Sequence, residues 1–410
     1  MTNNDAQNGA GFPTLPVGNS DWGHVVTHNW HADKTQLISG LLDKDATVAL
    51  FTRPRRFGKT FAMNMLQTFF EKTDESNAHL FEGTKVWQDP EHRAEQGKYP
   101  VIFITFKDAK GETWEDTLRG ICAAVRVEYK RHRQVFEAPD CDEDAQSLFK
   151  DVLDRNKIPV DIDTSLANLA AALHAHYGER PVILIDEYDS PINYAATHGF
   201  GEEALQFFRN FLSGAMKDGE HCRLGVITGI LRMARDTYLN GELSEDLSSI
   251  FDCCYTDCFG LTEAEVKSLL KAYGRIDKFD EVREWYGGYF MGKTEIFNPS
   301  SVLEYVKNGF KAKVYLDDGD EDVVVDAIKA KLTPRGFGKL LEIVNDGSAV
   351  VRYESYPDGA AIANSDPGSA FTLSVHAGYL RARGEQKLCC GYVDCPNAER
   401  KEFWKSVLKR

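Results

Sequence analysis

The stretch TVALFTRPRRFGKTFAMNMLQTFFEK, Thr47 to Lys72, begins as an apolar strand and continues as a helix. The helix is predicted because the apolar residues of FAMNMLQTFFEK recur at helical spacing. Between strand and helix lies a turn of arginines and a glycine, where successive backbone N–H groups and a helix N-terminus can hold a phosphate. This βα unit predicts an α/β protein with a phosphate-binding loop.

Gly58, Lys59 and Thr60 supply the end of the loop motif G-x-x-x-x-G-K-[ST]. In that motif the lysine neutralises the β- and γ-phosphates of a nucleotide and the hydroxyl ligates Mg²⁺. Arg53 replaces the first glycine of the strict motif, so the loop needs support from the rest of the chain. The loop arginines either touch phosphate or, as is commoner, extend into solvent. The nucleotide-binding residues that we assign here are Arg56, Phe57, Gly58, Lys59, Thr60 and Phe61.

A second motif, ILIDEYD from Ile183 to Asp189, is an apolar strand that ends in adjacent acids. A strand that only fills a core rarely ends in this way. We expect Asp186 to lie near Mg²⁺ and Glu187 to polarise the attacking water. The alternative is that two strands end in suitable residues by coincidence.

A third motif, TGILRMAR, places Thr228 at the end of a strand and Arg232 four residues later. A cation there can reach a γ-phosphate or the charge that develops on it. The alternative for Arg232 is an ordinary surface position on a helix. We assign Thr228 to nucleotide binding, and Lys59, Glu187 and Arg232 to catalysis. Because no NKxD-type guanine-binding motif follows the strands, ATP is favoured over GTP.

After the first strand, three apolar runs, at residues 99–106, 180–189 and 223–230, lack polar alternation, as do strands covered on both faces. Helical stretches lie between them, so the order of elements predicts a parallel sheet between helices. The predicted fold is an α/β P-loop NTPase core with a parallel sheet, a helical lid and a small α+β C-terminal region.

The composition changes along the chain suggest boundaries between these parts. Short helices are predicted from Phe259, the acidic run at residues 317–322 indicates a surface turn or linker, and a hairpin turning at Arg383–Glu385 is predicted near the end. We expect that FTLSVHAGYLRA forms its first arm. The expected domains are an N-terminal arm (1–30), the core (31–260), the lid (261–312) and a winged-helix-like or α+β region (313–410).

The formal net charge of −15 argues against a general basic field that grips nucleic acid or an acidic membrane, although a local basic patch stays open. No apolar run approaches the ~20 residues that span a bilayer. The nine cysteines lack regular spacing, and the N-terminus has no secretory pattern. These features favour a cytoplasmic protein with free thiols and no membrane partner.

Taken together, the motifs resemble the bacterial AAA-ATPase-like family, relatives of STAND and archaeal ATPases. The resemblance runs from about Leu15 to about Phe403. The matching pieces besides those quoted are HADKTQLISGLL, YPVIFITFKD, FGLTEAEV and WYGGYFMGKTEIFNPSSVLEYV.

The resemblance implies an ATPase core with a lid, in which Lys59 and Thr60 match the Walker A positions and Asp186 and Glu187 match Walker B. Arg232 matches the arginine after the sensor strand. Residues 33–35 match the family's DKT motif, to which we assign no role. Family members often continue into a PD-(D/E)XK nuclease domain, which we expect to be missing because the chain stops at Arg410.

These features predict an ATP- and Mg²⁺-dependent switch that couples its nucleotide state to an unidentified protein or effector. Thr60 and Asp186 are the predicted metal ligands. Two alternatives stay open: a nucleotide-gated scaffold or effector that does not hydrolyse ATP, and a phosphotransferase that uses the same loop.

Overall fold

The computed structural model describes residues 12–44, 47–139, 141–216, 220–231, 245–315, 325, 328–357, 368–387 and 390–409. No helix among these residues is both long enough and apolar enough to cross a bilayer.

A five-stranded sheet forms the centre of the first part of the chain, in the order β2-β3-β4-β1-β5. Every pair of neighbouring strands is parallel, which confirms the predicted α/β class. The strands are β1 (Val48–Thr52), β2 (Val101–Thr105), β3 (Val182–Asp186), β4 (Leu224–Gly229) and β5 (Glu245–Ser248). The sequence did not predict β5, a polar edge strand of four residues.

Helices cover both faces of this sheet. Alternate residues of β1 show the two layers, because Ala49 and Phe51 join one buried cluster while Val48 and Leu50 join the other. The helices are α1 (Trp22–His28), α2 (Gln36–Asp43), α3 (Lys59–Phe70), α4 (Pro90–Arg93), α5 (Trp114–Arg131), α6 (Arg133–Phe136), α7 (Glu143–Leu153), α8 (Ser165–Tyr177), α9 (Ser190–His198) and α10 (Gly201–Met216).

The described part of the predicted N-terminal arm packs on this core. Trp22 is fully buried in α1, and its ring lies 5.5 Å from Phe81 and 5.4 Å from Phe61. A large aromatic side chain buried in this way holds the segment in place, because exposing it to water costs about 2–3 kcal/mol. Residues 1–11 lie outside the described residues.

The predicted lid contains three helices and a small antiparallel sheet. The helices are α11 (Glu263–Ala272), α12 (Phe279–Tyr286) and α13 (Pro299–Lys307). The strands are β6 (Leu261–Thr262), β7 (Tyr289–Met291) and β8 (Thr294–Phe297), in the order β6-β8-β7. The region predicted as a helical lid therefore also contains a hairpin, formed by β7 and β8.

The C-terminal region is α+β, with a three-stranded antiparallel sheet in the order β10-β11-β9. Its elements are α14 (Pro334–Asp346), β9 (Ala349–Arg352), α15 (Ser369–His376), β10 (Arg381–Lys387), β11 (Cys390–Asp394) and α16 (Ala398–Val407).

The predicted C-terminal hairpin is present, but its details were wrong. The first half of FTLSVHAGYLRA belongs to α15, whose eight residues are all buried, so no polar face marked them as helical. The expected turn at Arg383–Glu385 lies within β10, and Lys387 pairs with Cys390 beyond it. The acidic run at residues 317–322 lies outside the described residues.

Candidate nucleotide site

The strand order brings the three sequence motifs to one edge of the sheet. In parallel strands the carboxyl ends lie at the same edge, where α/β proteins bind their ligands. Because β4 lies between β1 and β3, Thr228 stands between the loop after β1 and the acids at the end of β3.

Asp186 is the polar centre of this edge. Its Oδ2 accepts a hydrogen bond from Thr60 Oγ1 at 2.7 Å, and its Oδ1 accepts one from Thr228 Oγ1 at 2.6 Å. Burial, followed by the neighbouring charge of Glu187, raises the pKa of Asp186, and the two hydroxyls counteract this shift. A hydroxyl and a carboxylate in contact are oxygen donors of the kind that Mg²⁺ binds together with phosphate.

Lys59 is buried, with only 3% of its side chain exposed. Its Nζ donates to the carbonyl oxygens of Arg53 and Pro54, at 3.3 and 3.2 Å, so the ammonium lies inside the curve of the loop. The same Nζ lies 3.5 Å from Glu187 Oε1. The loop lysine and the second acid of β3 therefore form an ion pair in this state.

Glu187 has an unusual backbone as well as an ion pair. Its φ of 54° lies in the left-handed region, which a non-glycine residue adopts at a cost of about 1 kcal/mol or more. Burial alone would raise the pKa of its carboxyl, but the charges of Lys59 and Arg55 bring that pKa below its ordinary value. The carboxylate is therefore held ionised beside the loop.

Gly58 is the residue before α3 and has a φ of 83°. No heavy atom of the described residues lies within 4 Å of the place where a Cβ would stand. A glycine provides no side chain to cap the first N–H groups of α3, and open space lies in front of it. This arrangement fits an anion at the helix N-terminus.

A cavity of about 320 Å³ continues from the loop. Its lining consists of residues 56–62 and Glu187 together with residues of the N-terminal segment and of the lid. The lining outside the loop is mainly apolar and includes Val17, Trp30, Leu261 and Leu303, which we call the apolar end of the cavity. A charged loop and an apolar lining in one cavity suit a ligand that carries both phosphates and a ring.

Arg53 is buried, which corrects the expectation that loop arginines extend into solvent. Its Nη1 donates to Ser248 O at 2.7 Å and to Thr52 O at 2.9 Å, and its Nη2 donates to Ser248 Oγ at 2.8 Å. The guanidinium also lies 5.0 Å from the Phe259 ring centre. Burial lowers the pKa of Arg53 to about 10. It holds β5 and the following segment together, and its partners at positions 248–259 were not apparent from the sequence.

The remaining predicted ligands differ in where they point. Phe57 is fully buried and its carbonyl accepts from Gly260 N at 2.9 Å, which ties the loop to the start of the lid. Arg56 Nη1 donates to Tyr315 O at 3.3 Å, beyond the lid. Phe61 packs on Trp22. Arg232 lies outside the described residues.

Asp189 is a buried residue of this edge that the sequence analysis did not single out. Its Oδ2 accepts from the backbone N–H groups of Ile230 and Leu231, at 2.9 and 3.0 Å. Burial, followed by the charge of Glu187, raises its pKa to about 6. The last residue of IDEYD therefore holds the chain that leaves β4, and the only signal for it was the acid at the end of the motif.

Comparison with known proteins gave two matches. A family model described as "Predicted AAA-ATPase" matches residues 16–238, a little over half of the chain. The chain is also 24% identical over 378 residues to a protein of Azotobacter chroococcum mcd 1 named "Uncharacterized protein in vnfD 5'region". That alignment covers 91% of this chain and 65% of the relative, so the chain spans about two thirds of the relative's length.

Proposed function

This chain belongs to the family of predicted AAA-ATPases, and from that premise we propose that it binds and hydrolyses ATP with Mg²⁺ as a STAND-type switch. The observation that carries the proposal is the double hydrogen bond to Asp186, from Thr60 after β1 and from Thr228 at the end of β4. It joins three motifs that are distant in sequence into one set of oxygen donors beside the loop lysine.

Each residue has a specific role in this proposal. Lys59 binds the β- and γ-phosphates, while Thr60 and Asp186 hold Mg²⁺, which when bound neutralises charge on the phosphates. Glu187 orients the attacking water and accepts its proton. The N–H groups that follow Gly58 receive phosphate oxygens, as their open position allows. In this proposal Arg232 supplies a further positive charge to the γ-phosphate.

The ion pair between Lys59 and Glu187 implies that phosphate binding precedes activation of the water. At 3.5 Å the ammonium and the carboxylate neutralise one another, so neither is available for phosphate or water. When Lys59 takes phosphate oxygens as partners, Glu187 is released as an ionised base. Although burial raises the pKa of its carboxyl, the charges of Lys59 and Arg55 lower it, so Glu187 is ionised before this exchange. The base is therefore activated only when the loop is occupied.

The apolar end of the cavity receives the base of the nucleotide. Its walls come from the N-terminal segment and from the lid. Adenine is preferred over guanine because no NKxD-type guanine-binding motif follows the strands in the sequence. A base held between two parts of the chain couples nucleotide occupancy to the position of the lid.

The proposal also concerns the output of the switch, that is, how the nucleotide state is transmitted to a partner. We propose that the core (31–260) and the lid (261–312) change their arrangement with the nucleotide, and that the region from 313 transmits the change to a protein or effector partner. Arg56 supports this route, because its hydrogen bond to Tyr315 O joins the loop to the chain beyond the lid. We also propose a cytoplasmic location, because the nine cysteines lack the regular spacing of a disulfide framework.

Phosphate release by the wild type, Lys59→Ala and Glu187→Gln tests the proposal. Loss of a phosphate-binding lysine or of a catalytic base should lower turnover by at least about a hundredfold. Glu187→Gln should retain ATP binding, because it keeps the shape of the side chain and removes only the charge. Unchanged turnover in both variants would show that the proposed site is not the site of hydrolysis.

A scaffold that binds ATP without hydrolysing it is the second candidate. The Lys59–Glu187 pair favours it, because the pair engages the carboxylate that would have to polarise the water. Saturable ATP binding by the wild type without phosphate release would select this candidate. Consumption of ATP only when an acceptor molecule is added would instead indicate a phosphotransferase.

A further inference from the structure

Asp33 and Thr35, the outer residues of the DKT motif, fix the N-terminal segment to the core. Asp33 Oδ1 accepts from Thr35 N at 2.9 Å, and Asp33 Oδ2 accepts from Lys85 N at 2.8 Å. Thr35 is fully buried, and its Oγ1 accepts from Val86 N at 3.1 Å. Both side chains therefore bind the backbone of the short segment that follows α3.

Lys34, the central residue of the motif, points to the lid instead. Its Nζ donates to Glu265 Oε2 and to Asp257 O, each at 2.7 Å, and Lys34 is only 6% exposed. Glu265 belongs to the first turn of α11, where its Oε2 also accepts from Thr262 N at 2.7 Å. Lys34 thus binds the residue that caps the first helix of the lid.

The packing of neighbouring residues shows the same division. Leu15, Trp30 and Ala32 pack against the buried cluster of the lid. Trp22, by contrast, lies in the cluster of the core. The N-terminal segment therefore contacts core and lid in turn, and the DKT motif stands where it passes from one to the other.

Lys34 also lines the cavity, as do Trp30 on its own segment and Leu261 and Leu303 on the lid. The apolar end of the cavity therefore has walls from two parts of the chain. Lys34 joins them with a buried, charge-assisted hydrogen bond. The relative position of these walls decides how well a ring fits between them.

We propose that Lys34 is a positioning residue that sets the lid against the base-binding end of the cavity. The inference rests on the proposed nucleotide function. Walls that are already in place spare a ligand the free-energy cost of ordering them, so loss of the link lowers affinity for the base-bearing ligand. Lys34 donates to Asp257 and Glu265, neither of which belongs to the loop, so phosphates bound at the loop do not depend on this link.

Calorimetric titration with ADP and with inorganic tripolyphosphate tests the proposal, because only ADP carries a base. Lys34→Met keeps the aliphatic chain and removes the ammonium, and it should weaken ADP binding about tenfold while tripolyphosphate affinity stays unchanged. Lys44→Met is the matched control, since it breaks a 2.8 Å pair with Asp246 in the core, and Lys44 does not line the cavity.

Glu265→Gln is a second variant that weakens the same contact from the lid, in case Lys34→Met fails to fold. If both act through one bond, the double variant should bind ADP no worse than Lys34→Met alone. Unchanged ADP affinity in either folded variant, or equal loss for both ligands, would overturn the proposal for Lys34. A wild type that binds neither ligand would instead contradict the nucleotide function itself.

Discussion

Thr228 donates a hydrogen bond of 2.6 Å to Asp186 from the neighbouring strand, 42 positions away in sequence. Thr60 occupies the other oxygen of the same carboxylate. The bond exists because β4 lies directly between β1 and β3. The last residues of β4 therefore lie next to both the loop after β1 and the acids at the end of β3. Thr228 thereby helps to keep a buried carboxyl group ionised, which a metal ligand requires.

Replacing Thr228 by valine removes that donor with little change in shape. The pKa of Asp186, already raised by burial, should rise further, and the Mg²⁺ concentration for half-maximal turnover should increase about tenfold. Magnesium titrations of phosphate release measure this. Thr105→Val at the end of β2, whose hydroxyl accepts only weakly from Lys107 N at 3.4 Å, is the control and should leave the titration unchanged.

Arg53→Gly restores the glycine of the strict loop motif, yet it should harm the protein. The guanidinium binds Ser248 and Thr52 in a buried site, and its loss removes a donor from each of their carbonyl oxygens. We expect the free energy of unfolding to fall by at least about 3 kcal/mol in urea denaturation.

Arg55→Gly provides the comparison for Arg53, because it makes the same change at a half-buried position of the same loop. This substitution should lower the free energy of unfolding by about 1 kcal/mol. Equal costs for the two variants would contradict a structural role specific to Arg53.

The features that could be predicted are those determined by residues close together in the sequence. Apolar runs and the turn before Lys59 were sufficient for the α/β class and the family, both of which are confirmed. The burial of Arg53 was not predictable in this way, because its partner Ser248 lies in β5, 195 positions along the chain. The helix α15 was missed because its residues are buried on all sides.

The roles of the site residues stay predictions, although the structure brings most of them together. Lys59, Thr60, Asp186, Glu187 and Thr228 lie at one edge of the sheet, as their order in the chain suggested. The contribution of Lys34 depends on a contact with Glu265, 231 positions away, which no local pattern encodes.

His376 predicts a dependence of stability on pH. Burial lowers its pKa from 6.5 to about 4, although its hydrogen bond with Glu354 O favours the charged form. As the pH falls below 6.5, His376 becomes protonated in the unfolded chain, whereas in the folded chain it stays neutral until about pH 4. The unfolded state is therefore favoured progressively in this range, and the contribution is constant above it.

Chemical denaturation of the wild type and His376→Phe at pH 7 and pH 5 measures this effect. The wild type should lose about 2 kcal/mol more than the variant between the two pH values. Phenylalanine keeps a ring of similar size next to Phe251 and cannot be protonated in this range. The same pH dependence in both proteins would show that His376 is accessible to protons in the folded state.

The central claim is that Asp186 and the residues around it bind a nucleotide together with Mg²⁺. Its most direct test is calorimetric titration of the wild type and Asp186→Asn with adenylyl imidodiphosphate, in the presence of Mg²⁺ and of EDTA. Binding by the wild type should be at least about tenfold tighter with Mg²⁺, and this difference should disappear in Asp186→Asn. Absence of binding by the wild type, or the same Mg²⁺ dependence in both proteins, would contradict the claim.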